Sequence, residues 1–171
     1  MFAQLDTKSV YSFMDSVVDL NTYVKRAKEL GYQSIGLMDR DNLYAAYHFA
    51  QLAIRNGLRP LIGTEANLFY EGRKIPFRLL AKNNQGYKNL MKLATELSSG
   101  QREFTYFSDY LNDIALILPS EDWEPGMSLG SEVFIGVRPE DAGKEFDYPV
   151  VPLHTVRYFE NADRSTIQTL H

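Results

Sequence analysis

Leu61-Ile-Gly-Thr-Glu65 is an apolar run that ends in a carboxylate, and Gly36-Leu-Met-Asp39-Arg40-Asp41-Asn42 has the same form earlier in the chain. Each reads as the end of a buried strand that delivers an acid to a shared rim. A parallel β/α protein builds its site in this way, at the carboxyl ends of its strands. Where a metal site would need histidines beside those acids, this chain offers Lys8, Arg40 and Arg157. The functional question is whether the rim is a working site or a retired one.

Working outward, residues 2–6 read as a first strand and Gln33–Met38 as a second. The run Ile35-Gly-Leu-Met38 has no polar side chain, the mark of a strand buried on both faces. Between them Lys8–Asp19 is ambiguous, with room for a helical turn at Tyr11–Asp15. Asn21 is then expected to cap a helix that ends at Gly31. Asn42 is expected to cap a helix over Leu43–Asn56, with Ala46, Phe49, Ala50 and Ala53 on its apolar face and Gly57 as its stop. The third strand lies within Pro60–Phe69 and ends near Glu65. Tyr70-Glu-Gly-Arg-Lys74 reads as a hairpin turn into a fourth strand, Ile75–Ala81. Asn84 is expected to cap a helix facing inward with Tyr87, Leu90, Met91, Ala94 and Leu97, closed by Ser98-Ser-Gly100. Phe104–Leu111 reads as a short helix. Asp113–Leu118, Val133–Val137 and Pro149–Leu153 complete the strands, and Asn161 is expected to cap a helix still running at His171. Seven strands with helices between most of them imply a parallel α/β architecture, either an open sheet or a closed barrel. A chain that stops inside a helical pattern reads as part of a longer one.

Composition narrows the class. The 171 residues are 44% hydrophobic and 13% aromatic, enough for one domain with a sizeable core. The net charge of −4 gives no broad attraction for a phosphate backbone, so the chain is a poor candidate for holding DNA unaided. With no Cys, disulfides, thiolate metal sites and cysteine nucleophiles are excluded, which suits a cytoplasmic protein. No signal peptide and no stretch near membrane-spanning length is evident.

Strand alternation sets Gln4, Asp6 and Lys8 on one face at the end of the first strand, either as a site lining or as an exposed strand end. Ser9 and Ser12 have no histidine base in the pattern, so a serine hydrolase is not supported. Among the histidines, His48 falls on the polar face of its helix, His154 lies near the rim as a weak ligand candidate, and His171 is at the chain's last position. Tyr11, Tyr44, Tyr47, Tyr106 and Tyr110 suit core packing or an interface better than base stacking.

The sequence resembles the amino-terminal PHP (polymerase and histidinol phosphatase) domain of bacterial replicative DNA polymerase III alpha subunits, in the shorter Gram-positive, streptococcal-like form. In that family the first strand reads His-x-His-x-His-Ser-x-Tyr-Ser-x-x-Asp-Gly. Here it is Gln4-x-Asp6-x-Lys8-Ser9-x-Tyr11-Ser12-x-x-Asp15-Ser16. The family's Lys-Arg-Ala-Lys-Glu-Leu-Gly stands at Lys25–Gly31. Its Thr-Asp-His-Gly-Asn is Met38-Asp39-Arg40-Asp41-Asn42, and its Gly-Cys-Glu is Gly63-Thr64-Glu65. Leu80-Ala-Lys-Asn83 and Gly86–Leu93 match almost unchanged. The family's Asn-Asp-Val-His-Tyr is His154-Thr155-Val156-Arg157-Tyr158, with Thr155 and Arg157 at the metal-binding Asp and His. The likeness runs from Met1 to His171.

The resemblance implies a distorted (β/α)7 barrel whose active members hydrolyse phosphoesters with a metal cluster, in some polymerases as a proofreading exonuclease. Such clusters want neutral imidazoles and carboxylates, whereas Lys and Arg offer no lone pair at neutral pH. The vestigial positions Gln4, Asp6, Lys8, Asp39, Arg40, Glu65, Thr155 and Arg157 therefore lead to an expected site without metal. In it Lys8, Arg40 and Arg157 neutralise Asp6, Asp39 and Glu65, because buried carboxylates without a partner are costly. The first expectation for function is a structural and interaction module without a cofactor of its own; magnesium would serve only the polymerase domain of the intact chain. Its partners would be the remainder of the alpha subunit and, through it, the replisome and DNA, with little or no direct DNA binding and no membrane. Two alternatives stand beside it: a metal-dependent phosphoesterase or 3′–5′ exonuclease with an atypical ligand set, and a phosphate- or pyrophosphate-binding module.

Overall fold

The structure is a computed structural model that describes residues 3–130, 132–160 and 168. The expected helix from Asn161, His171, and the Met1 and Phe2 positions lie outside the described residues. Among the described residues nine strands form: β1 (Ala3–Gln4), β2 (Asp6–Thr7), β3 (Ser34–Arg40), β4 (Arg59–Tyr70), β5 (Arg73–Ala81), β6 (Ile114–Pro119), β7 (Val133–Val137), β8 (Val150–Pro152) and β9 (Thr155–Val156). The α-helices are α1 (Leu20–Glu29), α2 (Ala46–Arg55) and α3 (Asn84–Ser98), joined by a 3₁₀ helix over Phe104–Tyr110.

One sheet runs in the order β1-β3-β4-β5-β6-β7-β8, and β2 pairs separately with β9. Since β2 continues β1 and β9 continues β8, that second pairing brings the two outer staves together. Asp6 stands opposite Thr155, and the Lys8 amide donates to the Val156 carbonyl at 2.9 Å. The fold is thus a distorted α/β barrel of seven staves. Its sheet is mixed rather than parallel throughout, because β5 is antiparallel to both neighbours. Glu71 and Gly72, both at positive φ, form the two-residue turn that reverses the chain between Tyr70 and Arg73. Among the described residues the β6–β7 and β7–β8 connections carry three-residue 3₁₀ turns and no α-helix.

Strand β4 does not stop near Glu65 but continues to Tyr70, which places Glu65 mid-strand. The first strand is broken at Leu5, whose carbonyl lies where a Cβ on Gly36 would stand, at 2.2 Å. Only glycine lets the first stave cross β3 this closely. The register puts Gly36, Met38 and Arg40 on the same face as Gly63 and Glu65, Arg78 and Leu80, and Ile117. This is the barrel interior. Met38, Ile117 and Leu153 fill it as a small apolar plug, supported by Leu5, Leu80, Phe134 and Val151. Outside the staves, α1 and α2 pack on β3 through Tyr23, Val24, Ile35, Leu37 and Phe49. The larger core joins α3 and the 3₁₀ helix to β4–β7 through Phe77, Leu79, Leu90, Leu93, Leu97 and Phe107.

Three caps differ from expectation. Asp19, not Asn21, caps α1 by accepting from the Thr22 amide at 2.9 Å. Asn83, not Asn84, caps α3 by accepting from the Gln85 and Gly86 amides. Asn42 accepts from the Tyr44 amide at 3.1 Å, which holds residues 43–45 in a turn and delays α2 to Ala46. On α3 the buried face includes Leu93, and Met91 is exposed.

Candidate functional site: a buried ionic layer

Above the apolar plug the barrel holds charge. Lys8 is fully buried, and its ammonium lies 2.6 Å from Asp6 Oδ1 and 3.1 Å from Glu65 Oε2. Arg78, at the inward position of β5, places Nε 3.0 Å from Asp6 Oδ2 and Nη2 3.2 Å from Glu65 Oε2. Arg40 completes the row with Nε 3.0 Å from Glu65 Oε1 and Nη2 2.8 Å from Asp15 Oδ2. Arg157 Nη1 approaches Asp15 Oδ1 at 2.8 Å. Strand register explains the central part, since Glu65 pairs with Arg40 on one side and with Arg78 on the other. Cross-strand neighbours on one face sit close enough for their side chains to meet.

The electrostatics follow. Burial pushes the Asp6 carboxyl up. Lys8 and Arg78, with hydrogen bonds from Lys8 and Thr155, more than offset this and hold it below its ordinary value. Glu65 behaves alike: burial raises it, Lys8 and Arg78 outweigh that, and it too is lowered. Burial works against the charged Arg40 guanidinium, but Asp15 and Glu65 raise its pKa on balance.

Two expected pairings are different in the structure. Asp39 meets no cation among the described residues. Its carboxylate accepts from the Ser9 amide (2.6 Å), the Ser9 hydroxyl (2.7 Å) and the Ser12 hydroxyl (2.7 Å). At the end of β3 it points away from Arg40's face, toward the segment after β2, so strand alternation separates it from the ionic row. Arg157 reaches none of Asp6, Asp39 or Glu65 and is paired with Asp15 instead. Gln4 donates to the carbonyls of Asp6 and His154, and Thr155 donates to Asp6 Oδ2 at 2.7 Å, so both vestigial positions brace the first and last staves.

Arg78 and Asp15 were not anticipated as members. Arg78 had a signal, a lone cation among Pro76, Phe77, Leu79 and Leu80 in an otherwise apolar strand. His48 and His154 are exposed. Ser9 and Ser12 are bonded to a carboxylate, with no imidazole in either bond. Tyr106 and Tyr110 stack with each other, and Tyr106, like Tyr11, Tyr44 and Tyr47, is exposed rather than in the core.

The family model described as the PHP domain matches residues 4–124, which include Asp6, Lys8, Asp15, Asp39, Arg40, Glu65 and Arg78. The chain belongs to the PHP domain family. This PHP domain is 46% identical over its whole length to a DNA polymerase III subunit alpha of Streptococcus pyogenes serotype M1, of which it covers 17%. It is 33% identical over 70% of its length to the DNA polymerase III subunit alpha of Bacillus subtilis (strain 168), covering 11% of that protein. The chain thus spans less than a fifth of the curated relatives it matches. A two-domain protein of Bacteroides vulgatus, described as containing a predicted PHP-like metal-dependent phosphoesterase, superposes with TM-score 0.47 and 15% identity. That match covers 71% of this PHP domain and 35% of the other chain. Among the described residues no group of three or more His, Asp or Glu side chains could hold a metal ion. No helix there is long and apolar enough to cross a membrane.

Proposed function

We propose that the chain is the amino-terminal PHP domain of a DNA polymerase III alpha subunit, and that salt bridges stand in it where active relatives carry metals. The observation that carries this reading is Lys8. Its ammonium, with no solvent exposure, sits between Asp6 and Glu65 at 2.6 and 3.1 Å. A metal ion at that place would meet a fixed positive charge and carboxylate oxygens already engaged by Lys8, Arg40 and Arg78. The residues present do not fit a metal cluster. The role left is structural, a rigid barrel that supports the rest of a replicative polymerase in the cytoplasm.

The likeness to DNA polymerase III alpha subunits along the whole chain supports the parent assignment. The charge balance supports a structural role over anion binding. Lys8, Arg40, Arg78 and Arg157 face Asp6, Asp15 and Glu65 through salt bridges, and the hydroxyl-bonded carboxylate of Asp39 adds a fourth negative charge. Each of the four cations already faces a carboxylate, which leaves none of them unpaired for a phosphate.

The test is elemental analysis after dialysis against manganese and zinc, paired with turnover assays on single-stranded DNA ends and a generic phosphoester. The expected result is no stoichiometric metal and no metal-dependent turnover. Turnover that Glu65→Ala abolishes would establish the enzyme reading in its place.

A further inference from the structure

The segment that follows β2 is built inside out. Ser9, Ser12 and Asp15 are buried, while Val10, Tyr11, Phe13 and Met14 between them are exposed, Phe13 to 86%. A surface loop normally shows water its polar residues and hides its apolar ones. Here the spacing of three turns every polar side chain toward the barrel, and each is held there. Ser9 and Ser12 bond the Asp39 carboxylate, and Asp15 is clamped by Arg40 and Arg157. The backbone is pinned as well, through turns from Ser12 to Ser9 and from Asp15 to Ser12. Met14 adopts φ 61°, a left-handed conformation that costs a non-glycine residue free energy.

The exposed ridge continues beyond the loop. Asn42 donates to the Tyr11 carbonyl and accepts from the Tyr44 amide, so the two tyrosines flank one side chain. Tyr44 is 79% exposed and Tyr47, on α2, 74%. Four exposed apolar side chains thus stand on the pinned loop, with Tyr44 tied to it through Asn42 and Tyr47 three residues further along the chain. Single exposed apolar residues are ordinary, but a contiguous group on a pinned, strained loop marks a surface that is covered in the assembled protein.

We propose that Val10, Tyr11, Phe13 and Met14, with Tyr44 and Tyr47, form the surface on which the remainder of the polymerase subunit docks, through an apolar concavity of its own. This rests on the reading above that the chain is the PHP domain of an alpha subunit. The occupant follows from proportion: the chain matches only 17% of its streptococcal relative, so most of such a subunit lies outside the structure and is covalently at hand. In this arrangement the ionic layer has a second use, as the clamp that holds the apolar loop outward.

Hydrogen-exchange mass spectrometry on the full-length polymerase, wild type and Phe13→Asp, tests the proposal. In the wild type, residues 9–15 and 43–48 are expected to be protected. The substitution is expected to speed exchange there and in one segment outside residues 1–171 together, by about tenfold or more. Amides of β3–β5 report in the same experiment that the barrel stays folded. If Phe13→Asp unfolds it, Tyr44→Asp makes the same test from the α2 side. Faster exchange confined to the loop overturns the proposal. So does protection that disappears on dilution, which would make a second copy the occupant, or protection that arises only when single-stranded DNA is added. Primer extension by the wild-type chain checks the underlying reading separately. A chain that polymerises but shows no coupled exchange sinks the docking surface alone.

Discussion

Arg78 and Glu65 face each other across the antiparallel β4–β5 pair, with Arg78 Nη2 3.2 Å from Glu65 Oε2. The same guanidinium reaches Asp6 through Nε at 3.0 Å, so one side chain ties the first stave to the third and fourth. Arg78→Lys replaces two spaced donors, Nε on Asp6 and Nη2 on Glu65, with one point charge that cannot stand in both places. It is expected to cost roughly 1–3 kcal/mol of stability. Arg78→Met, which removes the charge, is expected to cost about 3–5 kcal/mol. Urea unfolding of the two variants checks the order, and equal losses would argue against the two-armed role.

Lys8→Met leaves Asp6 and Glu65 buried with one fewer cation each. The expected loss is again about 3–5 kcal/mol, seen as a lower urea midpoint at an unchanged slope. A variant as stable as the parent would mean that water or a bound cation replaces the ammonium.

Arg157 and Asp15 form a weaker outer pair. Arg157 is 38% exposed, so solvent screens it, and Arg157→Ala is expected to cost about 0.2–1 kcal/mol. Asp15 is buried and receives both Arg157 and Arg40, and Asp15→Asn is expected to cost more than Arg157→Ala. Thermal melts of both variants decide this, and a reversed order would show that Arg157 has contacts that matter more.

Acid is expected to unfold the protein through Asp6 and Glu65. Both carboxyls titrate below their ordinary values when folded, so the unfolded chain takes up protons first as pH falls. Their stabilisation is complete above the ordinary Glu value of 4.5 and drains away beneath it, through the lowered folded values. Urea midpoints are expected to hold steady between neutral pH and about 5 and to fall steeply beneath about 4. Because the pairs are buried, added salt is expected to change this profile little. A midpoint that drops already near pH 6 would implicate other groups.

Much of this was legible from the chain. The buried strands announced themselves as apolar runs, and the Glu71-Gly72 turn as a hairpin. Sequence reading set Asp6, Lys8, Arg40 and Glu65 near one another, although Glu65 stands mid-strand and not at a strand end. What sequence reading missed was set by register and tertiary geometry. Arg78 joins the site only because β5 turns back antiparallel and aligns it with Glu65. Asp39 leaves the ionic row because it falls on the opposite face from Arg40, one residue away. Asn42 looked like a helix cap, but its side chain serves Tyr11, Arg40 and Tyr44 locally. Asp15, read only as part of a motif, gained its role from a loop whose polar residues turn inward.

The short pairing of β2 with β9 sets an order in time. Thr155 bonds Asp6 across 149 residues, and Arg157 reaches Asp15 from the same late segment. Closing so long a loop is entropically slow, and contacts of this kind form late. During synthesis Asp6, Lys8 and Asp15 emerge first and must wait for almost the whole domain before their last partners leave the ribosome. Until then the first stave is an unfinished edge carrying two acids and an ammonium. Its completion can serve as the step that commits the nascent barrel to its native form.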